Sequence, residues 1–200
     1  MTLDLVIEIL GFAVGLVYLW YEYHASWRMW IASVVMPVIS MWIYFRKGLY
    51  ADFGINIYYL VIAVYGYVLW RRGDTRRPSA AAGRCISHMP LRVWLVAPVA
   101  LAALWLAMGW LLDTRTDSTV PWYDSFTTAM SILGMWLLAR KYIEQWAAWI
   151  VVDAVCVWLY AYKGIYFYSV LYAVYTVVAV FGYRKWLRLM PTPGRQKNGC

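Results

Sequence analysis

The chain is predicted to be an all-α polytopic membrane protein of seven transmembrane helices, laid out as two three-helix repeats joined by one linker helix. Three observations predict this. Hydrophobic residues fill 64% of the 200 positions and charged residues only 14%, with a mean hydropathy of +0.57, outside the usual range of soluble domains. The apolar residues also come in seven blocks whose lengths approach the roughly 20 residues a helix needs to cross a bilayer. Finally, the two ends of the chain resemble each other at a fixed separation.

Taken in order, the first block runs from about Leu5 to Trp20, interrupted by Glu8. It has no basic leader and no small-residue cleavage site, so it reads as a span and not a signal peptide. The second, about Met29 to Tyr44, contains Pro37, which membrane helices tolerate when neighbours satisfy the freed carbonyl. The third runs from about Phe53 to Trp70. A basic connection, Arg71 to Arg92, separates it from span four, Val93 to Leu112, which has no titratable residue. A short loop with Asp113, Asp117 and Asp124 leads to spans five (Ser125 to Leu138), six (Trp146 to Tyr162) and seven (Phe167 to Tyr183). The expected organisation is a first repeat at 1–70, a basic loop at 71–92, a linker helix at 93–112, a second repeat at 113–186 and a basic tail at 187–200.

Seven spans put the two termini on opposite sides. One side carries 14 Lys and Arg and the other 4 (Arg46, Lys47, Arg115 and Lys163). By the positive-inside rule the tail and long loop are cytoplasmic and the amino terminus is outside. The net charge of +8 therefore reports topology and not nucleic-acid binding. Cys85, Cys156 and Cys200 show no metal spacing and no disulfide framework.

At a separation of 116 residues, Trp42 meets Trp158, Lys47-Gly48-Leu49-Tyr50 meets Lys163-Gly164-Ile165-Tyr166, Tyr59 meets Tyr175, Gly66 meets Gly182 and Trp70 meets Trp186. Nearer the start, Gly15 with Gly134 and Trp27-x-x-Trp30 with Trp146-x-x-Trp149 suggest a separation of 119 and a three-residue insertion. Spans one to three thus repeat as spans five to seven. The extra span four turns the second repeat back, making the two parallel, a transporter plan whose site is expected between the halves near the midplane.

The strongest candidate site is W-x-x-W-x-x-x-D, formed by Trp146, Trp149 and Asp153. These positions share one helical stripe, with Asp153 about 10 Å along the axis from Trp146 at 1.5 Å per residue. An ionisable group at that depth needs a partner, water or a ligand, and a carboxylate under aromatic planes suits a flat cation. Asn56 and Tyr59 of span three and Tyr172 and Tyr175 of span seven are candidates for the polar part of a ligand, or for helix-to-helix hydrogen bonds. Pro37, Gly66 and Gly182 are candidate bending points or close-packing sites. Glu22 and Glu144 are expected in water at the cytoplasmic boundary.

No catalytic residue, metal site or cofactor is expected. His24 and His88 sit in loops, and no H-E-x-x-H, G-x-S-x-G or phosphate-binding loop is present. An intramembrane enzyme is the competing class, and it would need Asp153 to cooperate with Glu8 or Glu144.

These residues resemble a known family. Leu49-Tyr50-Ala51 through Asn56, Tyr58, Tyr65-Gly66 and Trp70, together with Ser131-Ile132, Ala139-Arg140-Lys141-Tyr142 and Glu144-Gln145-Trp146-x-x-Trp149-x-x-x-Asp153, are similar to the PnuC family of vitamin transporters. The resemblance implies a SWEET-like three-plus-one-plus-three fold, a homotrimer in the bacterial inner membrane, and facilitated entry of nicotinamide riboside that a cytoplasmic vitamin kinase then traps. It also assigns substrate contact to Trp146, Trp149 and Asp153, and to Asn56 where the family commonly has Gln. Asp153 stands where riboside transporters usually have Asn, and in this the chain looks more like the thiamine-transporting branch, often called PnuT. Both vitamins carry a cationic aromatic ring, so nicotinamide riboside stays the alternative substrate.

Overall fold

A computed structural model describes residues 14–46, 50–75, 85–116, 120–164 and 166–190. Among them are seven helices and no strand: α1 (residues 14–23), α2 (Met29–Arg46), α3 (Tyr50–Thr75), α4 (Leu91–Arg115), α5 (Pro121–Ala139), α6 (Gln145–Tyr162) and α7 (Tyr166–Leu189). The all-α, seven-helix class is therefore the observed one. In lipid every backbone amide must be satisfied within its own segment, which leaves a helix as the available conformation for these runs. Phe53–Arg71, Leu91–Arg115 and Gln145–Tyr162 are long and apolar enough to cross a bilayer, and Met29–Trp42 is a shorter apolar stretch. Several helices outrun their apolar blocks, α3 reaching Thr75 and α7 reaching Leu189, because a helix continues into the interface where Lys and Arg keep their charged ends in water. Glu8, Lys47, Gly48, Leu49, Ile165 and Cys200 lie outside the described residues.

The chain forms two compact units, one holding α1 to α3 and the other α4 to α7. In the first, α2 packs on α3; in the second, α5 packs on α4 and α6, and α6 on α7. The linker helix α4 belongs to the second unit. Gly109 makes room there for the ring of Trp122, whose carbonyl accepts a hydrogen bond from Trp105 Nε1 at 2.9 Å.

The repeat is visible inside each unit. Trp30 meets Trp70 edge-on at 5.8 Å and 82°, and Trp146 meets Trp186 at 5.7 Å and 85°. A Cβ added to Gly66 would overlap the Trp30 indole, and one added to Gly182 would overlap that of Trp146. These glycines therefore serve close packing. The turn before each wedge matches too. Ala25 and Lys141 have φ of 50° and 57°, the left-handed conformation that ends a helix in a Schellman motif. Ser26 N donates to Tyr21 O at 2.9 Å, and Tyr142 N to Leu137 O at 3.0 Å.

Every one of these pairs is 116 apart, so the suggested shift to 119 is incorrect. Two tryptophans three apart occur in both halves, but Trp30 matches Trp146, while Trp149 matches Ser33. Two further expectations change. Glu22 is only 2% exposed, since it occupies the core-facing position of the turn that Leu138 fills in the second unit. Glu144 is not simply solvated: its carboxylate accepts from Met89 N at 3.1 Å and pairs with His88 Nδ1 at 2.9 Å. Ser87 also pairs in a short parallel bridge with Tyr142, which pins the end of the long loop onto the α5–α6 turn. Cys85 is disulfide-bonded, which its spacing did not predict.

Candidate functional site

Helix α6 lies between α5 and α7, and its two sides do different work. Trp146, 1% exposed, points to α7 and fills the gap left by Gly182. Both faces of its ring are thereby committed to protein, as Trp30 is in the first unit. Trp149 leans on α5 at Gly134, where an added Cβ would come to 3.5 Å from the indole. It is half-buried, and its Nε1 has no hydrogen-bond partner among the described residues.

Asp153 lies one turn further along, 7% exposed. Among the described residues no Lys, Arg or His pairs with its carboxylate; the ion pairs present are His88–Glu144 and Lys163–Asp124. Tyr172 and Tyr175 of α7 and Cys156 of α6 are close enough to feel its charge. The tyrosines form a continuous aromatic wall. Tyr160 stacks on Tyr168 at 5.4 Å and on Tyr172 at 5.3 Å and 8°, and Tyr175 meets Tyr172 edge-on at 5.8 Å. Ser169 Oγ donates to Val157 O at 2.8 Å and fixes α7 against α6 beside this wall. A buried carboxyl group one helical turn from an indole, with phenol rings nearby, suits a flat organic cation.

The second unit thus holds Trp146, Trp149, Asp153, Tyr172 and Tyr175 together. Asn56 and Tyr59 belong to the first, where both are half-buried on α3 and Tyr59 meets Tyr58 edge-on at 5.7 Å. The residue that the sequence reading missed is Gln145. It is fully buried, and among the described residues neither its amide nitrogen nor its oxygen has a hydrogen-bond partner. Gln145, Trp149 and Asp153 follow each other at four-residue intervals and share a stripe. A polar residue opening an apolar run was the available signal. At the same register the first unit has Met29, Ser33 and Pro37, so the stripe is particular to α6. No group of His, Cys, Asp or Glu among the described residues is arranged to hold a metal.

Comparison with known proteins identifies the family and the fold. The sequence profile of the family described as nicotinamide mononucleotide transporter matches residues 5–188. The nicotinamide riboside transporter PnuC of Escherichia coli is 24% identical over 166 residues, 72% of this chain and 70% of that protein. The riboflavin/roseoflavin transporter RibM of Streptomyces davaonensis is 26% identical over 181 residues, 90% and 83% of the two chains. The crystal structure of the vitamin B3 transporter PnuC has the same fold, with a TM-score of 0.66 at 21% identity over 90% of this chain and 79% of that one.

Proposed function

This chain belongs to the nicotinamide mononucleotide transporter family, and from that premise we propose that it carries a cationic aromatic B vitamin, thiamine, across the bacterial inner membrane by facilitated diffusion. Membership makes it a multi-pass membrane transporter of the vitamin class. The cationic substrate is our reading, and it rests above all on Asp153, a buried carboxylate with no cationic partner among the described residues. A permanently charged ring offsets the cost of holding that anion in low dielectric.

In this reading Trp149 stacks on the cationic ring, Asp153 supplies the counter-charge, and Tyr172 and Tyr175 hold the polar remainder. Trp146 acts indirectly, as the wedge that sets the spacing of α6 and α7. Access to the site alternates between the two sides of the membrane, with the amino terminus outside and the basic tail in the cytoplasm. Each chain works within a homotrimer, and a cytoplasmic vitamin kinase keeps the inward gradient.

Nicotinamide riboside is the alternative cargo, favoured by the name of the Escherichia coli relative. Riboflavin, named for the Streptomyces relative, is neutral and leaves Asp153 without a counter-ion. Uptake of labelled vitamins into proteoliposomes separates these readings. We expect saturable thiamine uptake that excess unlabelled thiamine blocks and nicotinamide riboside blocks poorly. Riboside uptake without thiamine uptake would move the chain to the other substrate, and transport of neither would remove the vitamin reading.

A further inference from the structure

The first unit carries an open groove of about 460 Å³ between α1 and α2, lined almost wholly by apolar atoms. Val17, Ile31 and Val35 form its walls, and Tyr21, Trp27 and Arg28 close one end. Its volume suits a small ligand, but a cationic vitamin would meet hydrocarbon and a like charge. The groove also faces away from the substrate register: Ile31 and Val35 are each two residues, about 200° of helix, from Ser33 and Pro37, the counterparts of Trp149 and Asp153.

The two units differ at its charged end. In the second unit the positions matching Trp27 and Arg28 are Ile143 and Glu144, and both are engaged by the chain itself. Ile143 N donates to Ser87 O at 3.1 Å, and Glu144 holds His88 and the amide of Met89. In the first unit no segment among the described residues takes that place. The carboxylate becomes a guanidinium, and no carboxylate of the described residues pairs with Arg28. A second cation is near, since Arg71 lies over the Trp27 ring at 5.0 Å and donates Nη1 to the Tyr67 hydroxyl at 3.1 Å.

An apolar trough about 10 Å long, from Arg28 to Val35 at 1.5 Å per residue, with an indole and two arginines at its mouth, matches the profile of one membrane leaflet. We infer that this groove binds an anionic phospholipid, its acyl chain along Val17, Ile31 and Val35 and its phosphate on Arg28 beside Trp27. The Lys and Arg asymmetry assigns that mouth to the cytoplasmic leaflet, where anionic headgroups collect at basic pockets between helices. The lipid would steady the first unit where residues 86–90 steady the second.

Native mass spectrometry of the full-length protein, titrated in detergent with phosphatidylglycerol and separately with phosphatidylcholine, tests this. The wild type should retain the anionic lipid in preference to the zwitterionic one. Arg28→Gln should lower the apparent affinity for phosphatidylglycerol about five-fold, as expected for one cation at a headgroup, and Arg28→Lys should restore it. Ile31→Trp, which fills the groove, should remove the bound lipid from protein that stays monodisperse, while excess glycerol 3-phosphate should displace nothing. Equal retention of the two lipids, or retention unchanged in both Arg28→Gln and Ile31→Trp, would overturn the inference. So would a change in assembly mass with Ile31→Trp that leaves lipid occupancy intact, because the groove would then be an interface between copies. None of these outcomes bears on vitamin transport, which is read separately.

Discussion

In the first unit Trp30 meets Trp70 over Gly66, and in the second Trp146 meets Trp186 over Gly182, with ring separations of 5.8 and 5.7 Å. The backbone that leads into each wedge turns through the same left-handed residue, Ala25 or Lys141. Yet along the next two turns of helix one unit has Met29, Ser33 and Pro37 and the other Gln145, Trp149 and Asp153. The difference separates two kinds of constraint. Residues shared by both halves build the three-helix unit, and residues present in one half are, in the proposed function, the ones that answer to a ligand. Trp146, which the motif groups with Trp149, belongs to the first kind by this criterion.

The largest effect that could break this division is at the carboxylate. Asp153→Ala should weaken binding of the cationic vitamin by roughly 1.5 to 3 kcal/mol, the range for hydrogen bonds to charged groups, or about 10- to 150-fold by calorimetry. Ser33→Ala, on the matching stripe of the first unit, should leave affinity unchanged. Next come the wedges. Gly66→Val and Gly182→Val each force a side chain into an indole, and overpacking of this kind costs about 1 to 3 kcal/mol, read as a drop in the temperature at which the detergent-solubilised protein loses its monodisperse peak. Similar losses in the two variants support equivalent wedges; a silent variant in either unit breaks the repeat.

The two tryptophans of the motif should then part company. Trp149→Leu should cost up to about 2 kcal/mol of affinity, as a desolvated cation–π contact does, with little change in thermal stability. Trp146→Phe should lower thermal stability while leaving affinity nearly intact. The smallest effect is at the turns: Ala25→Gly and Lys141→Gly should each stabilise by about 1 kcal/mol or less, because glycine adopts the left-handed conformation without the Cβ penalty. Thermal unfolding of both variants would show whether the turns are equivalent.

Much of this architecture was legible in the sequence. The apolar blocks located the helices, because a membrane-spanning segment has so few alternatives. Trp70 with Trp186 and Gly66 with Gly182 disclosed the repeat, and Asp153 stood out as a charge inside an apolar run. The register of the first turn was misread because Trp27 and Trp30 have the spacing of Trp146 and Trp149, and spacing alone does not show which indole enters the glycine gap. The burial of Glu22 and the capture of Glu144 by His88 depend on tertiary contacts, the latter across a sequence separation of 56, which no local pattern reports. Gln145 was hidden for another reason. An amide at a helix start reads as solvated until the packing around it is known.

Calorimetric titration of the purified protein with thiamine, wild type against Asp153→Asn, tests the role of the carboxylate most directly. The substitution keeps the size of the side chain and removes its charge. If Asp153 is the counter-ion of a cationic vitamin, the wild type binds thiamine and the variant binds it at least about ten-fold more weakly, the low end for an interaction with a charged group. Equal affinities would contradict the claim and return Asp153 to a role in the packing of α6 against α7.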